Sequence, residues 1–439
     1  MNSYRFTLRR HKAIADASIE LNGITVLAGE NGAGKSTITR WLYYLVEVIT
    51  KYEWYAYMDL QRDIYMQLLD FRMALRDTRM SDNGIVAAIL RWDNSSEFID
   101  YSNDDAVGLM VQEARDVVER VGDYIQANIE QTPRPNNRLM RLMLYLEVEN
   151  VNSFNRDEFV NKYLQRIDAS YRDYSKKLSN RALEDLFDYI AEHYDQSIKR
   201  PSFIQFMEDR VSVLEKKTFG HLLGVQRAIY IDTPMAIGSN LSGNILWENL
   251  SELLNKNNNA ILSLEMKKML YRIQHIIHGS VQLEKDDMND DDLRYIREDN
   301  HLDIPLTEAA TGIKSFAYII RLLENGYLNK NTLLIIDEPE AHLHPQWVVE
   351  FARILVLLTK ELGVRILIAS HNPDMVAAIQ SIGKKEGLDN AITFYQAQLS
   401  REYPFEYEYK NLGLEVTEIF KSFNIAISRI QDYGRIDYK

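Results

Sequence analysis

The most constraining feature of this chain is a glycine-rich segment, Gly29-Glu30-Asn31-Gly32-Ala33-Gly34-Lys35-Ser36-Thr37. It follows an apolar run, Ile24 to Ala28, and precedes a stretch of helical composition. The spacing G-x-x-x-x-G-K-S between a strand and a helix is the P-loop pattern, in which glycines let backbone N–H groups converge on phosphate oxygens. The segment therefore predicts a nucleoside triphosphate site in an α/β fold.

Two side chains of the P-loop are predicted to do chemistry. Lys35 would reach the β- and γ-phosphates, and the Ser36 hydroxyl would ligate Mg²⁺. The residues predicted to bind nucleotide are Gly29, Asn31, Gly32, Ala33, Gly34, Lys35, Ser36 and Thr37. A chance glycine-rich turn is the alternative, and the strand and helix around the segment argue against it.

The composition restricts the classes of protein that remain. At 439 residues, the chain predicts two or three domains, or one large domain with an insertion. No apolar run reaches the ~18 residues that span a bilayer, and the N-terminus lacks a signal pattern, so we expect a cytoplasmic protein. The absence of cysteine excludes disulfides and thiolate metal sites. A net charge of −13 argues against general binding to the DNA backbone, without excluding a local basic groove.

The apolar pattern divides the chain into three parts: a first head segment at 1–103, a helical insertion at 104–220 and a second head segment at 221–439. Within the first part we expect strands at 4–9, 17–21 and 24–28, a helix over 38–80, and a strand pair at 85–92 and 97–101. The second head segment is expected to hold a strand at 227–232 and a hairpin, 280–284 with 293–297, whose tip is acidic.

The helical insertion carries a short apolar seam with alternating spacings of three and four residues. Its members are Leu164, Ile167, Tyr171, Tyr174 and Leu178. Because the seam lasts only about two heptads, it favours a compact insertion over long coiled-coil arms.

A second cluster of motifs lies far downstream. The run Thr332 to Ile336 ends in Asp337 and Glu338, which is the Walker B pattern. Asp337 would hold Mg²⁺, and Glu338 would polarise the attacking water. Another apolar run, Val364 to Ala369, ends in Ser370 and His371. A histidine at the end of a neighbouring strand can contact the γ-phosphate, although a structural role for His371 is the alternative.

The string from Asp337 to Pro345 (Asp-Glu-Pro-Glu-Ala-His-Leu-His-Pro) followed by Ala369-Ser370-His371 resembles the ABC-type ATPases. More narrowly, it resembles the branch with SMC-like repair ATPases and the OLD (overcoming lysogenization defect) family. The resemblance implies an ABC-type P-loop ATPase head with a mixed sheet core. It also implies a homodimer in which two ATP molecules, with Mg²⁺, lie between the P-loop of one subunit and a signature loop of the other.

The expected position of that signature loop holds Glu308 to Ser315, which matches the family pattern in part. Thr311 corresponds to its serine and Gly312 to its first glycine, whereas Ile313 and Lys314 replace the second glycine and the glutamine. Lys314 would either add charge there or face solvent.

Several weaker candidates complete the set. Ala341 to His344 matches the D-loop, which contacts the second subunit in the family, and His342 and His344 with Glu340 form a less favoured metal alternative. Gln226 is a candidate for the Q-loop glutamine, and residues 9–11 (Arg-Arg-His) are candidates for contacts to adenine or phosphate.

The resemblance extends to the ATPase subunits of bacterial anti-phage systems of the PARIS and Septu types, some of them associated with retrons. Only about 60 residues follow the His371 strand, too few for a TOPRIM nuclease domain. We therefore expect an ATPase that senses a phage component and controls a separate nuclease. A further possibility is a scaffold protein that holds nucleotide with little hydrolysis. Glu338 argues against it, because such a protein needs no carboxylate to activate water.

The principal alternative is a repair or recombination ATPase that binds DNA directly. Its contacts would be basic residues of the insertion, namely Arg134, Arg138, Arg141, Lys176 and Lys177. Phosphate contacts of this kind would make DNA binding strongly dependent on salt.

The P-loop assignment predicts that Lys35→Ala abolishes ATP binding, because the ammonium group that would contact the β- and γ-phosphates is lost. Titration with a fluorescent ATP analogue measures this directly. Undiminished binding by the variant would contradict the assignment.

Overall fold

The computed structural model describes residues 3–78, 83–94, 104–131, 137–146, 148, 154–232, 244–258, 260–284, 292–297, 299 and 301–421. The chain divides into two compact units. The larger unit comprises Met1–Thr50 with Leu186–Lys439, and the smaller comprises Lys51–Asp185.

The described residues form strands that are numbered in chain order. They are β1 (Tyr4–His11), β2 (Ile14–Leu21), β3 (Ile24–Ala28), β4 (Phe203–Glu208), β5 (Val211–Ser212), β6 (Arg227–Ile231), β7 (Ser280–Glu284), β8 (Asp292–Arg297), β9 (Leu302–Pro305), β10 (Thr332–Asp337), β11 (Arg365–Ser370), β12 (Ile392–Leu399) and β13 (Tyr407–Gly413).

The helices of the described residues are numbered in the same way. They are α1 (Lys35–Thr78), α2 (Asn83–Asn94), α3 (Asp104–Gln131), α4 (Asn137–Tyr145), α5 (Arg156–Asn180), α6 (Leu183–His193), α7 (Ile245–Asn255), α8 (Leu264–Ile277), α9 (Thr311–Glu324), α10 (Pro345–Leu362) and α11 (Pro373–Lys385).

The larger unit is built on a ten-stranded mixed sheet in the order β5-β4-β1-β2-β13-β12-β3-β11-β10-β6. The strands β12, β3, β11, β10 and β6 run parallel to one another. Both β10 and β11 are buried along their whole length, as expected for central parallel strands with apolar runs. This mixed sheet with helices confirms the predicted α/β P-loop head.

One core cluster joins the sheet to helices α7 to α11. Helix α9 is buried at almost every position, and α10 is stopped at Gly363, whose φ of 69° is the left-handed conformation of a helix C-cap. The predicted hairpin is present as β7 and β8, joined by β9 into a separate three-stranded sheet. The acidic tip of that hairpin, 285–291, lies outside the described residues.

The smaller unit is helical, as predicted for the insertion, and has its own core. The seam on α5 faces that core: Ile167 and Tyr174 are buried, and Leu164, Tyr171 and Leu178 are partly buried against it. Phe71 of α1 stacks edge-on with Tyr163 of α5 at 4.6 Å between ring centroids. The seam is therefore an internal packing surface of a compact unit.

The boundaries of the smaller unit differ from those expected at 104 and 220. It begins at Lys51 because α1 continues without interruption for 44 residues and its second half supplies apolar side chains to the helical core. It ends at Asp185 because residues further on return to the main sheet, where β4 pairs with β1.

Local predictions also failed at three places. The strand expected at 85–92 is helix α2, and its partner at 97–101 lies outside the described residues. Strands β4 and β5 fall in a region expected to be helical, and β12 with β13 extends the sheet after His371 without having been predicted. Among the described residues, no helix is both long enough and apolar enough to pass through a lipid bilayer.

Candidate functional site

The P-loop, the Walker B turn and His371 lie together where the parallel strands β3, β10 and β11 end. In the parallel register, Ala28 of β3 lies beside Ser370 of β11, and Ala369 lies beside Asp337 of β10. The P-loop, the Walker B turn and His371 therefore leave the sheet side by side. The carboxyl ends of parallel strands are the usual position of ligand sites in such sheets.

The backbone of the P-loop needs glycine at two positions. Gly32 and Gly34 have φ values of 82° and 89°, the left-handed region that side chains rarely adopt. A Cβ at Gly34 would also lie 2.8 Å from Ile14 Cγ1, so the loop fits closely against β2. The hydroxyl of Tyr409 from β13, the strand next to β2, donates to Ala33 O at 3.0 Å. Two neighbouring strands of the sheet thus contact the loop.

Asn31 is exposed at the tip of this loop, and Lys35 to Thr37 form the first turn of α1. The Lys35 side chain curls back over the loop, where Nζ donates to Gly29 O and Glu30 O, both at 2.9 Å. Burial lowers the pKa of Lys35, while the nearby carboxylates, Glu338 first among them, act to raise it. A polyphosphate in the loop would add a further anion and favour the charged ammonium.

Asp337 has the features of a cation ligand. Its Oδ2 accepts a hydrogen bond from Tyr230 Oη at 2.8 Å, while its buried Oδ1 has no hydrogen-bond partner among the described residues. Burial raises the pKa of Asp337, and hydrogen bonds from Tyr230 and Ser36 act to lower it. A buried carboxylate oxygen beside a serine hydroxyl fits Mg²⁺, which takes oxygen ligands and is often held by one or two carboxylates plus phosphate.

Glu338 lies at a strained turn. Its φ is 51°, and that of His342 four residues later is 62°, so two non-glycine residues adopt the left-handed conformation. The Glu338 N–H donates to Ala369 O at 2.8 Å, which fixes the turn to the end of β11. Its side chain is 37% exposed and therefore open to water. Such strain is typical of functional sites that are over-determined by their surroundings.

His371 stands between two carboxylates. Its Nδ1 lies 3.5 Å from Glu338 Oε1 and 3.6 Å from Glu340 Oε1. The structure thus brings His371, Glu338, Asp337 and Lys35 together at one site, and their roles in nucleotide hydrolysis stay predictions. Glu340 is an addition, because the sequence offered it only as part of a metal alternative.

Two tyrosines were also missed by sequence reasoning. Tyr230 reaches Asp337 from the neighbouring strand β6, and Tyr409 reaches the P-loop from β13. Burial raises the pKa of both phenols, so both remain hydrogen-bond donors at neutral pH. Neither residue lies in a local motif, and only the strand order reveals them.

The signature-like segment packs against the start of α10. Thr311 opens α9, and a Cβ at Gly312 would meet Trp347 Cε3 at 3.0 Å. None of the described contacts of Lys35, Asp337 or Glu338 involves either residue. The Lys314 side chain is buried, and its Nζ donates to Thr307 O at 2.6 Å. It therefore supports its own loop rather than facing solvent.

The metal alternative on the D-loop is not supported. His344 caps α10, with Nδ1 accepting from the Gln346 N–H at 3.4 Å. Within the described ranges, no three His, Cys, Asp or Glu side chains are grouped so as to hold an ion. His344 is accordingly a helix-capping residue.

The other weak candidates have structural partners. Gln226 lies at the amino end of β6, bonded to Asn331, so the Q-loop suggestion was wrong because the site is at the opposite end of the strand. His11 is buried and its Nε2 accepts from Trp41 Nε1 at 3.0 Å. Arg9 pairs with Asp16 at 3.1 Å, and Arg10 lies over a tyrosine ring.

The basic residues suggested for DNA are only partly available. Lys177 donates to Asp59 at 2.7 Å within the smaller unit, so its charge is already compensated. Arg138, Arg141 and Lys176 are exposed, and Arg134 lies outside the described residues.

Comparison with known proteins gives one family and several relatives. Residues 24–377 match the family described as "AAA domain, putative AbiEii toxin, Type IV TA system". The "Retron Vc95 probable ATPase" of Vibrio cholerae is 24% identical over 385 residues, covering 81% of this chain and 67% of that protein. The "Energy-coupling factor transporter ATP-binding protein EcfA2" of Clostridium perfringens is 50% identical over 44 residues, covering 10% of this chain and 15% of its own length. The solved "SMC head domain from Thermotoga maritima" is 9% identical, with a TM-score of 0.36, covering 94% of this chain and 99% of that one.

The environment of Asp337 predicts that Asp337→Asn removes the effect of Mg²⁺ on ATP binding. The amide keeps the size of the side chain but removes the charge, so Mg²⁺·ATP affinity should fall at least about 10-fold. Titrations with Mg²⁺ and with EDTA separate this from a general loss of binding.

Tyr230→Phe is the matched control, because it removes a hydrogen bond from Asp337 and leaves the carboxylate. It should still respond to Mg²⁺, although more weakly than the parent, because the carboxylate ligand remains. If Asp337→Asn retains that response in full, Asp337 is not the metal ligand.

Proposed function

This chain belongs to the AbiEii-type AAA domain family, and we propose that its P-loop, Asp337 and Glu338 form one half of an ATP site that a second copy completes. The family and the mixed-sheet head make the chain an ATP hydrolase of the ABC type. The observation that carries the proposal is the convergence of Lys35, Asp337, Glu338 and His371 at one sheet edge.

Each residue has a role that follows from its environment. The P-loop amides and Lys35 bind the phosphates, since the loop's glycines keep its backbone close to any anion it encloses. Ser36 and Asp337 would hold Mg²⁺, which when bound stabilises the charge that develops on the phosphates. Glu338 is exposed enough to orient water, and His371 lies 3.5 Å from it.

In a site shared by two copies, Thr311 and Gly312 would act on the nucleotide of the other copy. Helix α9 begins at Thr311, and its first turn lacks acidic residues. A helix start of this kind favours an anion, so it can act on the γ-phosphate held by another copy. A homodimer, or a higher homo-oligomer, would place two such contacts at two ATP molecules.

Glu338→Gln should bind ATP, fail to hydrolyse it and accumulate as the ATP-bound dimer. The amide cannot act as the base, whereas the P-loop and Asp337 are unchanged. Phosphate release measures turnover, and light scattering with and without ATP measures the dimer.

Glu361→Gln, an exposed change in α10, is the matched control and should hydrolyse ATP normally. Normal turnover by Glu338→Gln as well would place the base elsewhere.

For the cellular role, the proposal is a cytoplasmic sensor in anti-phage defence that controls a separate nuclease in response to a phage component. The support comes from the family and from a relative whose name places it with a retron. The ATP-dependent union of two heads would supply the switch that such control needs.

Co-purification tests this role. The tagged chain, expressed from its native gene neighbourhood, should bring down a nuclease encoded there. The Glu338→Gln variant, trapped with ATP, should change the amount recovered. Recovery of the chain alone, in both nucleotide states, would contradict control of a stable nuclease partner.

A further inference from the structure

Glu340 is a buried carboxylate to which the proposed ATPase mechanism gives no role. Its side chain is only 3% exposed. Oε1 accepts two hydrogen bonds, from Ser370 Oγ at 2.8 Å and from the His371 N–H at 3.1 Å. Oε2 is buried and has no hydrogen-bond partner among the described residues. Burying such a group is costly unless its contacts serve a purpose.

The contacts of Glu340 join two chain segments that carry the chemistry. Glu340 lies in the turn after β10, two residues beyond Glu338, and its partners end β11. The turn is held further by the Ala341 N–H, which donates to Glu338 O at 2.9 Å, and by the Leu343 N–H, which donates to Glu340 O at 3.1 Å. These backbone hydrogen bonds hold the turn in place, and with it the starting point of the Glu340 side chain.

The same carboxylate faces the imidazole of His371. Nδ1 lies 3.6 Å from Glu340 Oε1 and 3.5 Å from Glu338 Oε1. Two carboxylate oxygens near one ring nitrogen favour an N–H at that nitrogen, because a lone pair there would face the lone pairs of the oxygens. The backbone and the ring of His371 are thus both constrained by Glu340.

We infer that Glu340 is a positioning residue of the ATPase: it anchors the start of the His371 loop and orients the imidazole toward the site, with the proton on Nδ1. This inference rests on the proposed catalytic role of the site. Glu340 acts through His371 and not on water, since its side chain is buried whereas that of Glu338 is 37% exposed.

A double-mutant cycle tests whether Glu340 acts through His371. Glu340→Ala should lower kcat about 100-fold, the scale of a misplaced catalytic group, with the Kd for ATP changed less than about threefold. In a His371→Ala background, the same substitution should cause no further loss. An equal loss in both backgrounds would show that Glu340 acts independently of His371 and would overturn the inference.

Glu340→Gln is the second variant, in case the alanine variant does not fold. The amide oxygen can still accept from Ser370 and from the His371 N–H, but the charge facing Nδ1 is lost. It should fold like the parent and show an intermediate kcat. If Glu340→Gln kept the kcat of the parent, the inference would also be overturned. The control variant Glu361→Gln should keep that kcat.

Nitrogen-15 NMR of the His371 ring, in protein without nucleotide, gives a readout that does not depend on turnover. The parent should show a protonated Nδ1, and both Glu340 variants should shift that resonance. An unchanged His371 resonance in both would contradict the positioning role. If the parent shows this signature but hydrolyses no ATP, then the proposed function fails while the Glu340–His371 coupling stands.

Discussion

The parallel pairing of β3, β11 and β10 is the constraint on which the rest of the site depends. These buried strands place the P-loop, the His371 loop and the Walker B turn at one edge, in a register that aligns Ala28 with Ser370 and Ala369 with Asp337. Strand pairing therefore brings residues more than 300 positions apart in the sequence into one site. The three strands are buried along their whole length and mostly apolar, so they fix the positions of the loops, and the loops supply the charged groups.

Charge is concentrated at that edge and is only partly compensated within it. Lys35 is held by two loop carbonyls, Asp337 by Tyr230, and Glu340 by Ser370 and the His371 N–H. One oxygen of each buried carboxylate has no hydrogen-bond partner among the described residues. Two left-handed residues, Glu338 and His342, add backbone strain at the same turn. The strained backbone and the unpartnered carboxylate oxygens destabilise the folded protein, and binding of a nucleotide with its cation would offset this.

The central strands and their terminal motifs could be predicted because each is a local signal: an apolar run followed by glycine or carboxylate. The pattern failed where a run fits two structures, as at 85–92, whose apolar residues suit a buried strand and a buried helix equally. Strands β4, β12 and β13 were missed, since their partly exposed faces give weak patterns. Tyr230 and Tyr409 could not be found at all, because only strand order places them at the site. Glu340 is visible in the sequence, but its partners are thirty residues away.

The central claim is that three strand ends build one half of a shared ATP site. The structure of the Glu338→Gln variant with ATP and Mg²⁺ measures this most directly. The account predicts phosphates within the P-loop, the cation on Ser36 and Asp337, and Thr311 and Gly312 of a second copy against the γ-phosphate. A nucleotide bound elsewhere, or a complete site within one copy, would contradict it.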